Sequence, residues 1–183
     1  MLSKREFLEQ WNKSVAEGQD DKSWSDAIGK QFTGAPALFA FADMDYFALT
    51  GQIQWTPDAY RTGAVTVPHG FVTDFASVPR LFWSMLPPMG RYGYAAVFHD
   101  FAYWEQNVSR AEADALFRDT MIELQVSTWT RHLLYYSVRW FGFPAWRSNA
   151  ALKHSGEKRQ LRMLPTDIKT RWVDWKSRPG VFF

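Results

Sequence analysis

The residues best suited to acid–base chemistry, a histidine and two aspartates, lie on two predicted helices joined by a short turn. Residues 93–106 contain no helix breaker, and a capping-box pattern beginning at Ser109 opens the second helix. Helices joined by so short a loop run antiparallel and touch. His99 lies eight residues before the turn centre at Asn107 and Asp114 lies seven after it. At about 1.5 Å of rise per residue, both side chains reach nearly the same height.

This spacing predicts a general base. Asp114 can accept a hydrogen bond from one ring nitrogen of His99, which fixes the tautomer and leaves the other nitrogen to take a proton. Tyr103 follows His99 by one helical turn on the same face and can hydrogen-bond Asp114 as a support. Asp100 points about 100° away around the helix, a direction that suits a metal ligand beside the base.

Calcium needs more oxygen atoms than Asp100 supplies, because it takes roughly six to eight ligands. Residues 73–79 (TDFASVP) end a predicted strand and open a loop that is interrupted by Pro79. Such a loop can present the carboxylate of Asp74 together with backbone carbonyls. We therefore predict a calcium site that uses Asp74 and Asp100, with water in the remaining positions. The alternative is that Asp74 only caps a turn.

Four segments of the chain resemble segments of the bacterial and fungal secreted phospholipases A2, and they occur in the same order along the sequence. Residues 99–103 (HDFAY) are similar to their HD-x-x-Y helix, and residues 73–76 (TDFA) are similar to their calcium loop. The segments that begin at Asp114 (DALF) and at Tyr135 (YYSVRWFG) resemble their second active-site helix and their closing segment. The pattern TD-x-ASVP…HD…AD-x-x-F also resembles an uncharacterised family of phage and bacterial proteins.

The phospholipase resemblance implies a role for each residue of the site. The implied catalytic residues are His99 as base, Asp114 as its orienting partner, and Tyr103. The implied calcium ligands are Asp74, Asp100 and the backbone carbonyl of Phe75. Arg80 and Arg91 flank the expected cleft and are candidates for contact with a substrate phosphate, although solvated surface is the more common role of such residues.

Two departures from the secreted enzymes bear on this resemblance. Those enzymes bridge two cysteines at the positions that hold Ala76 and Ala96 here, and this chain has no cysteine. The small apolar replacements fit a version that folds without oxidation. In addition, the insertion at residues 81–93 (LFWSMLPPMGRYG) could form a lid over the site or block it.

Composition limits the other possibilities. A chain of 183 residues that is 46% hydrophobic can form a packed core. A net charge of +2, from 21 basic and 19 acidic residues, is too balanced to indicate nucleic-acid binding. The N-terminus shows no apolar signal segment, and no apolar run approaches the roughly 20 residues of a spanning helix. We therefore expect synthesis in the cytoplasm, with delivery to another cell or compartment as an option.

The periodicity predicts an α+β fold, in which a small β portion precedes a phospholipase A2-like antiparallel helical hairpin and a third packed helix. This third helix is capped at Ser127 or Thr128 and ends at Gly142 and Pro144. Its predicted apolar stripe is Trp129, Leu133, Tyr136 and Trp140. The predicted division is an N-terminal helix or arm (1–35), a phospholipase A2-like domain (36–146) and a basic, aromatic C-terminal extension (147–183).

The leading functional prediction is calcium-dependent hydrolysis of a phospholipid acyl ester at a membrane surface. Because cytosolic calcium is scarce, such an enzyme would be delivered as an antibacterial effector, with an immunity protein as partner, or would be a phage component. The alternative is a non-enzymatic structural or binding module of a phage particle or secretion system, which the aromatic terminal segments favour. A zinc or nucleotide-phosphohydrolase site ranks last, because no second histidine is placed near His99.

Overall fold

The chain divides into two compact units that alternate along the sequence. The computed structural model describes residues 32–34, 37–57, 63–75 and 91–183. The helical unit contains Phe75–Glu157, and the sheet unit contains Ser3–Asp74 together with Lys158–Phe183. Within the described residues there are six strands and five helices, so the expected α+β class is confirmed. Most of the predicted N-terminal arm, including its amphipathic helix, lies outside the described residues.

The sheet unit contains two three-stranded antiparallel sheets within the described residues. Their strands are short and rich in β-branched and aromatic residues, as strand propensity favours. In the first sheet the order is β1-β4-β5, and in the second it is β2-β3-β6. The strands are β1 (Phe32–Thr33), β2 (Leu38–Ala40), β3 (Phe47–Leu49), β4 (Ile53–Trp55), β5 (Val65–Val67) and β6 (Val72–Thr73). The turn at residues 68–70 therefore connects strands of different sheets.

The last part of the chain completes the core of the sheet unit. Gln160 forms a β-bridge with Phe71, and the backbone N–H of Leu161 donates to the carbonyl of Gly70 over 2.8 Å. Gly70 has a φ of 78°, and a Cβ there would collide with the Leu161 carbonyl oxygen, so this close approach requires glycine. The short helix α5 (Trp172–Lys176) adds two buried tryptophans. The residues of this core are Phe41, Ala48, Val72, Leu161, Trp172, Trp175 and Val181.

The helical unit is built from α1 (Arg91–Glu105), α2 (Arg110–Glu123), α3 (Thr128–Phe141) and α4 (Phe143–His154). Twelve of the fifteen residues of α1 are buried, so this helix forms the centre of the unit. The predicted capping box is present, since Ser109 and Glu112 each accept a hydrogen bond from the other's backbone N–H. Ser127 caps α3, as predicted. Within the described residues, no helix is both long and apolar enough to cross a bilayer.

Two predictions about the helices were wrong. We expected the aromatic stripe of α3 to pack inward, but Trp129, Tyr136 and Trp140 are exposed and the buried residues are Thr130, Leu134, Ser137 and Val138. The inner face of α3 combines small polar residues with apolar ones, because it makes hydrogen bonds as well as apolar contacts. We also expected the C-terminal extension from residue 147 to be irregular, but its first residues belong to α4, which ends at His154. Proline is tolerated in the first turn of a helix, and Pro144 occupies that position.

Candidate functional site

The helical hairpin of α1 and α2 brings three of the predicted site residues together. The Nε2 atom of His99 lies 3.0 Å from Oδ1 of Asp114. The hydroxyl of Tyr103 donates a hydrogen bond of 2.6 Å to the same oxygen. All three side chains are buried, and Asp114 is completely inaccessible to solvent. The short connection between the helices therefore places the histidine and the carboxylate at the same height, as the spacing predicts.

Two arginines that sequence reasoning missed contact the other oxygen of Asp114. The guanidinium of Arg110 donates to Oδ2 over 3.1 Å, and that of Arg139 donates over 2.7 Å. Arg110 lies four residues before Asp114, so helical periodicity could have identified it. Arg139 lies 25 residues away on α3, and no local pattern indicates its contact. With His99 and Tyr103, this buried carboxylate accepts from four side-chain donors.

The environment of His99 favours the neutral imidazole. Its ring lies 4.1 Å from the ring of Tyr103 and 4.8 Å from that of Phe117, measured between centroids. Burial lowers the pKa of His99, the contact with Asp114 opposes this shift, and the charge of Arg110 adds to it. A neutral histidine beside a carboxylate must carry its proton on Nε2, which faces Asp114. The lone pair is then on Nδ1, the nitrogen that can act as a base.

Asp114 remains a carboxylate despite its burial. Desolvation raises its pKa, but the hydrogen bonds from His99, Tyr103 and Arg139 outweigh that effect and lower it. Burial and the adjacent carboxylate raise the pKa of Tyr103, so its hydroxyl stays protonated and serves as a donor. The resting state is therefore a neutral histidine, an ionised aspartate and a neutral tyrosine.

Gly142, at the end of α3, leaves the space that the hydroxyl of Tyr103 needs. A Cβ at this position would lie 2.5 Å from that hydroxyl oxygen and would also collide with the carbonyl oxygen of Val138. The ring of Tyr103 also meets the edge of Trp146 on α4, with 5.0 Å between centroids. The tyrosine is thus held from two sides, and its hydrogen bond to Asp114 is set by packing.

The predicted metal ligands lie in different parts of the chain. Asp100 is buried on α1, next to His99. Phe75 is buried and has a φ of 52°, a left-handed conformation that is uncommon for a bulky residue and occurs often at ligand sites. The sequence resemblance makes the Asp100 carboxylate and the backbone carbonyl of Phe75 ligands of a hard cation. Among the described residues, no three His, Cys, Asp or Glu side chains cluster as metal ligands, so carbonyls and water would have to complete the coordination.

Asp74, the other predicted ligand, belongs to the sheet unit and follows β6. Its Oδ2 lies 3.6 Å from a guanidinium nitrogen of Arg159, whose side chain is buried. This positive charge weakens the attraction of the carboxylate for a cation. Sequence reasoning missed Arg159, because it lies 85 residues after Asp74, in the predicted C-terminal extension.

Of the two arginines predicted to contact a substrate phosphate, the structure describes one. Arg91 is the first residue of α1, and its guanidinium donates to the side-chain oxygen of Gln125 over 3.1 Å. It precedes His99 by eight residues, which corresponds to about 12 Å along the helix. The structure therefore does not place Arg91 within contact of the histidine. Arg80 lies outside the described residues.

Comparison with known proteins finds a similarity to one protein family. The model of the family described as "Protein of unknown function (DUF1353)" matches residues 52–138. This stretch, just under half of the chain, runs from the start of β4 almost to the end of α3 and contains His99, Asp100 and Asp114. No curated protein and no solved structure is significantly similar to the chain. Over these residues the chain is similar to a family whose function is not known.

Proposed function

We propose that this protein hydrolyses an acyl ester of a phospholipid, with His99 as the general base. One observation carries the proposal: a buried histidine has one ring nitrogen 3.0 Å from a carboxylate that Tyr103 also contacts. A base oriented by an ionised partner through its second nitrogen is a recurrent arrangement for activating water. The ordered sequence segments that resemble secreted phospholipases A2 supply the substrate class.

In the proposed reaction, Nδ1 of His99 takes a proton from water as the oxygen of that water attacks the ester carbonyl. The imidazolium that forms is stabilised by the ionised Asp114 on its other side. Tyr103, Arg110 and Arg139 keep this carboxylate in place, because each donates a hydrogen bond to it. Protonated His99 then returns the proton to the leaving alcohol, which completes the transfer of the acyl group to water.

Calcium, when bound, would supply positive charge for the phosphate and for the developing oxyanion. Asp100 and the backbone carbonyl of Phe75 are the ligands supported by burial and by the left-handed backbone. Asp74 is included as a calcium ligand because the resemblance to secreted phospholipases A2 implies that role. The positive charge of Arg159 weakens the attraction of the Asp74 carboxylate for a cation.

The test is release of fatty acid from mixed phospholipid vesicles by purified protein, measured by mass spectrometry with calcium or with EGTA. We expect His99→Gln to reduce the rate on the order of 100-fold or more, since a positioned base contributes about that much. The matched control is His69→Gln, which changes an exposed histidine of the sheet unit. Equal rates for His99→Gln and the wild type would refute the role of His99, and equal rates in EGTA would refute the role of calcium.

A second candidate function is a non-enzymatic binding or structural module. The observation that favours it is the saturation of Asp114 by four donors next to a histidine that is only 1% exposed. Such a network can serve to hold three helices together. This candidate predicts that the wild type releases no fatty acid under any condition, while His99→Gln still lowers the stability of the fold.

Delivery to another compartment remains part of the enzymatic proposal. Scarce cytosolic calcium would keep a calcium-dependent enzyme inactive where it is made. Expression with and without an added export signal tests this idea by comparing bacterial growth. Toxicity that is confined to the exported form would support delivery as an effector or phage component, and equal toxicity in both compartments would contradict it.

A further inference from the structure

Helix α3 presents a row of aromatic side chains to solvent. Trp129 is 77% exposed, Tyr136 is 46% exposed and Trp140 is 71% exposed. Their spacing of seven and four residues places them on one side of the helix. The rings of Tyr136 and Trp140 lie 5.4 Å apart between centroids, so they form a continuous surface. We call these three residues the aromatic face.

The segment that carries the aromatic face contains basic residues and no acidic residue. Residues 126–156 contain no aspartate or glutamate, and they contain Arg131, Arg139, Arg147 and Lys153. Two of these form ion pairs with acidic residues of other helices, namely Arg139 with Asp114 and Lys153 with Glu105. The guanidinium of Arg147 lies over the ring of Phe143, which is itself exposed. The segment thus combines exposed aromatic rings with Arg131 and Arg147, and it contributes no carboxylate of its own.

We propose that the aromatic face of α3 docks on the surface of an anionic phospholipid bilayer. Tryptophan and tyrosine favour the level of the headgroups, where the ring meets hydrocarbon and the polar tip meets water. Arginine side chains beside them reach the lipid phosphates while their stems lie along apolar surface. A bilayer of anionic lipid is a surface of uniform negative charge, which matches a stretch without carboxylates better than a protein surface of mixed charge does.

This docking surface is connected to the candidate site through α3 itself. Arg139 precedes Trp140 in the sequence, and its guanidinium contacts Asp114. Docking would therefore hold the helix that helps to position the carboxylate. The inference takes its biological meaning from the proposed lipid hydrolysis, but docking is a binding event that is measured without any turnover.

The experiment is co-sedimentation of the purified protein with vesicles of phosphatidylglycerol and phosphatidylcholine, in EDTA so that calcium does not contribute. We expect binding that increases with the phosphatidylglycerol fraction and weakens in high salt. The double variant Trp129→Ser, Trp140→Ser should bind at least about tenfold more weakly, because two large rings no longer leave water. The matched control is Ile168→Ser, which removes a side chain that is 76% exposed in the sheet unit and should bind like the wild type.

Three results would overturn the proposal. The first is no sedimentation of the wild type with anionic vesicles, and the second is equal binding by the double tryptophan variant. The third is a wild-type dimer that becomes a monomer in the double variant, which would assign the aromatic face to a second copy of the chain. Vesicle binding without fatty-acid release would leave the docking surface standing while refuting hydrolysis. Fatty-acid release that does not depend on Trp129 and Trp140 would support hydrolysis and refute the docking surface.

Discussion

Replacing Asp114 by asparagine tests whether the buried carboxylate organises the helical unit. The substitution keeps the shape of the side chain but removes its charge and replaces one acceptor oxygen with a donor. In the wild type, Oδ1 contacts His99 and Tyr103, and Oδ2 contacts Arg110 and Arg139. If the amide oxygen of asparagine accepts from His99 and Tyr103, its N–H groups face the donors of Arg110 and Arg139. In the opposite orientation they face His99 and Tyr103. At least two contacts must therefore be lost or reversed.

The loss in free energy of unfolding depends on how deeply each contact is buried. A buried hydrogen bond to a charged group contributes about 1.5–3 kcal/mol, which applies to His99 and Tyr103. The side chains of Arg110 and Arg139 are 23% and 31% exposed, so each of those contacts contributes roughly 0–1 kcal/mol. Asparagine retains one acceptor and recovers part of the loss. We expect Asp114→Asn to lower the free energy of unfolding by about 2–4 kcal/mol.

Urea unfolding followed by circular dichroism measures this change, and the matched control is Asp119→Asn. Asp119 lies on the same helix and pairs with Arg118 over 2.9 Å near the surface, so its loss should cost less than about 1 kcal/mol. Nitrogen NMR of His99 gives an independent signal. The proton on Nε2 in the wild type should become distributed over both ring nitrogens in Asp114→Asn. A cost for Asp114→Asn no larger than that of Asp119→Asn would refute the reasoning.

Three further predictions concern the same network. Because the pKa of His99 is lowered in the fold, the unfolded chain binds a proton near pH 6.5 while the folded protein does not. In EDTA, the stability should therefore be full above pH 6.5 and fall below it, by up to about 1.4 kcal/mol per pH unit. Gly142→Ala should cost about 1–3 kcal/mol in urea unfolding, because the new methyl group displaces the Tyr103 hydroxyl. Tyr103→Phe should cost about 1.5–3 kcal/mol alone and clearly less in an Asp114→Asn background.

Each of these predictions has an outcome that contradicts it. For the pH dependence, the comparison is His99→Gln, which should lack the slope just below pH 6.5, and an equal slope in both proteins would assign it to other groups. For Gly142→Ala, unchanged stability and an unchanged Tyr103 hydroxyl environment by NMR would show that the space is not needed. For Tyr103→Phe, equal costs in both backgrounds would mean that the hydroxyl does not act through Asp114.

The pairing of His99 with Asp114 could be predicted from the sequence because it depends on local geometry. A short loop and the rise of the α-helix determine the heights of both residues, and the capping box at Ser109 fixes where the second helix begins. The contact of Arg110 with Asp114 could be predicted from the same helical periodicity. The contact of Arg139 could not, because it depends on how α3 packs against the hairpin, and side-chain pattern alone does not give that orientation.

Hydrophobicity misled the prediction for α3 because the interior of the helical unit contains a polar network. The inner face accommodates the arginine that reaches Asp114 beside small residues such as Ser137, while Trp129 and Trp140 remain outside. The contribution of residues 158–183 to the core of the sheet unit could not be predicted from the sequence either. Pairing of Phe71 with Gln160 joins segments far apart in sequence, and no periodicity within either segment indicates its partner.

The division of the chain into alternating units dictates an order of folding during synthesis. The strands up to Asp74 leave the ribosome without Leu161, Trp172 and Trp175, which complete their core. At about 5–20 residues per second, the intervening helical unit takes on the order of ten seconds to be made, and it can fold as it emerges. During that interval the edges of the strands and their aromatic side chains are open to other chains. Production of this protein should therefore depend on chaperone capacity, and a stop codon after Glu157 should yield aggregated chains.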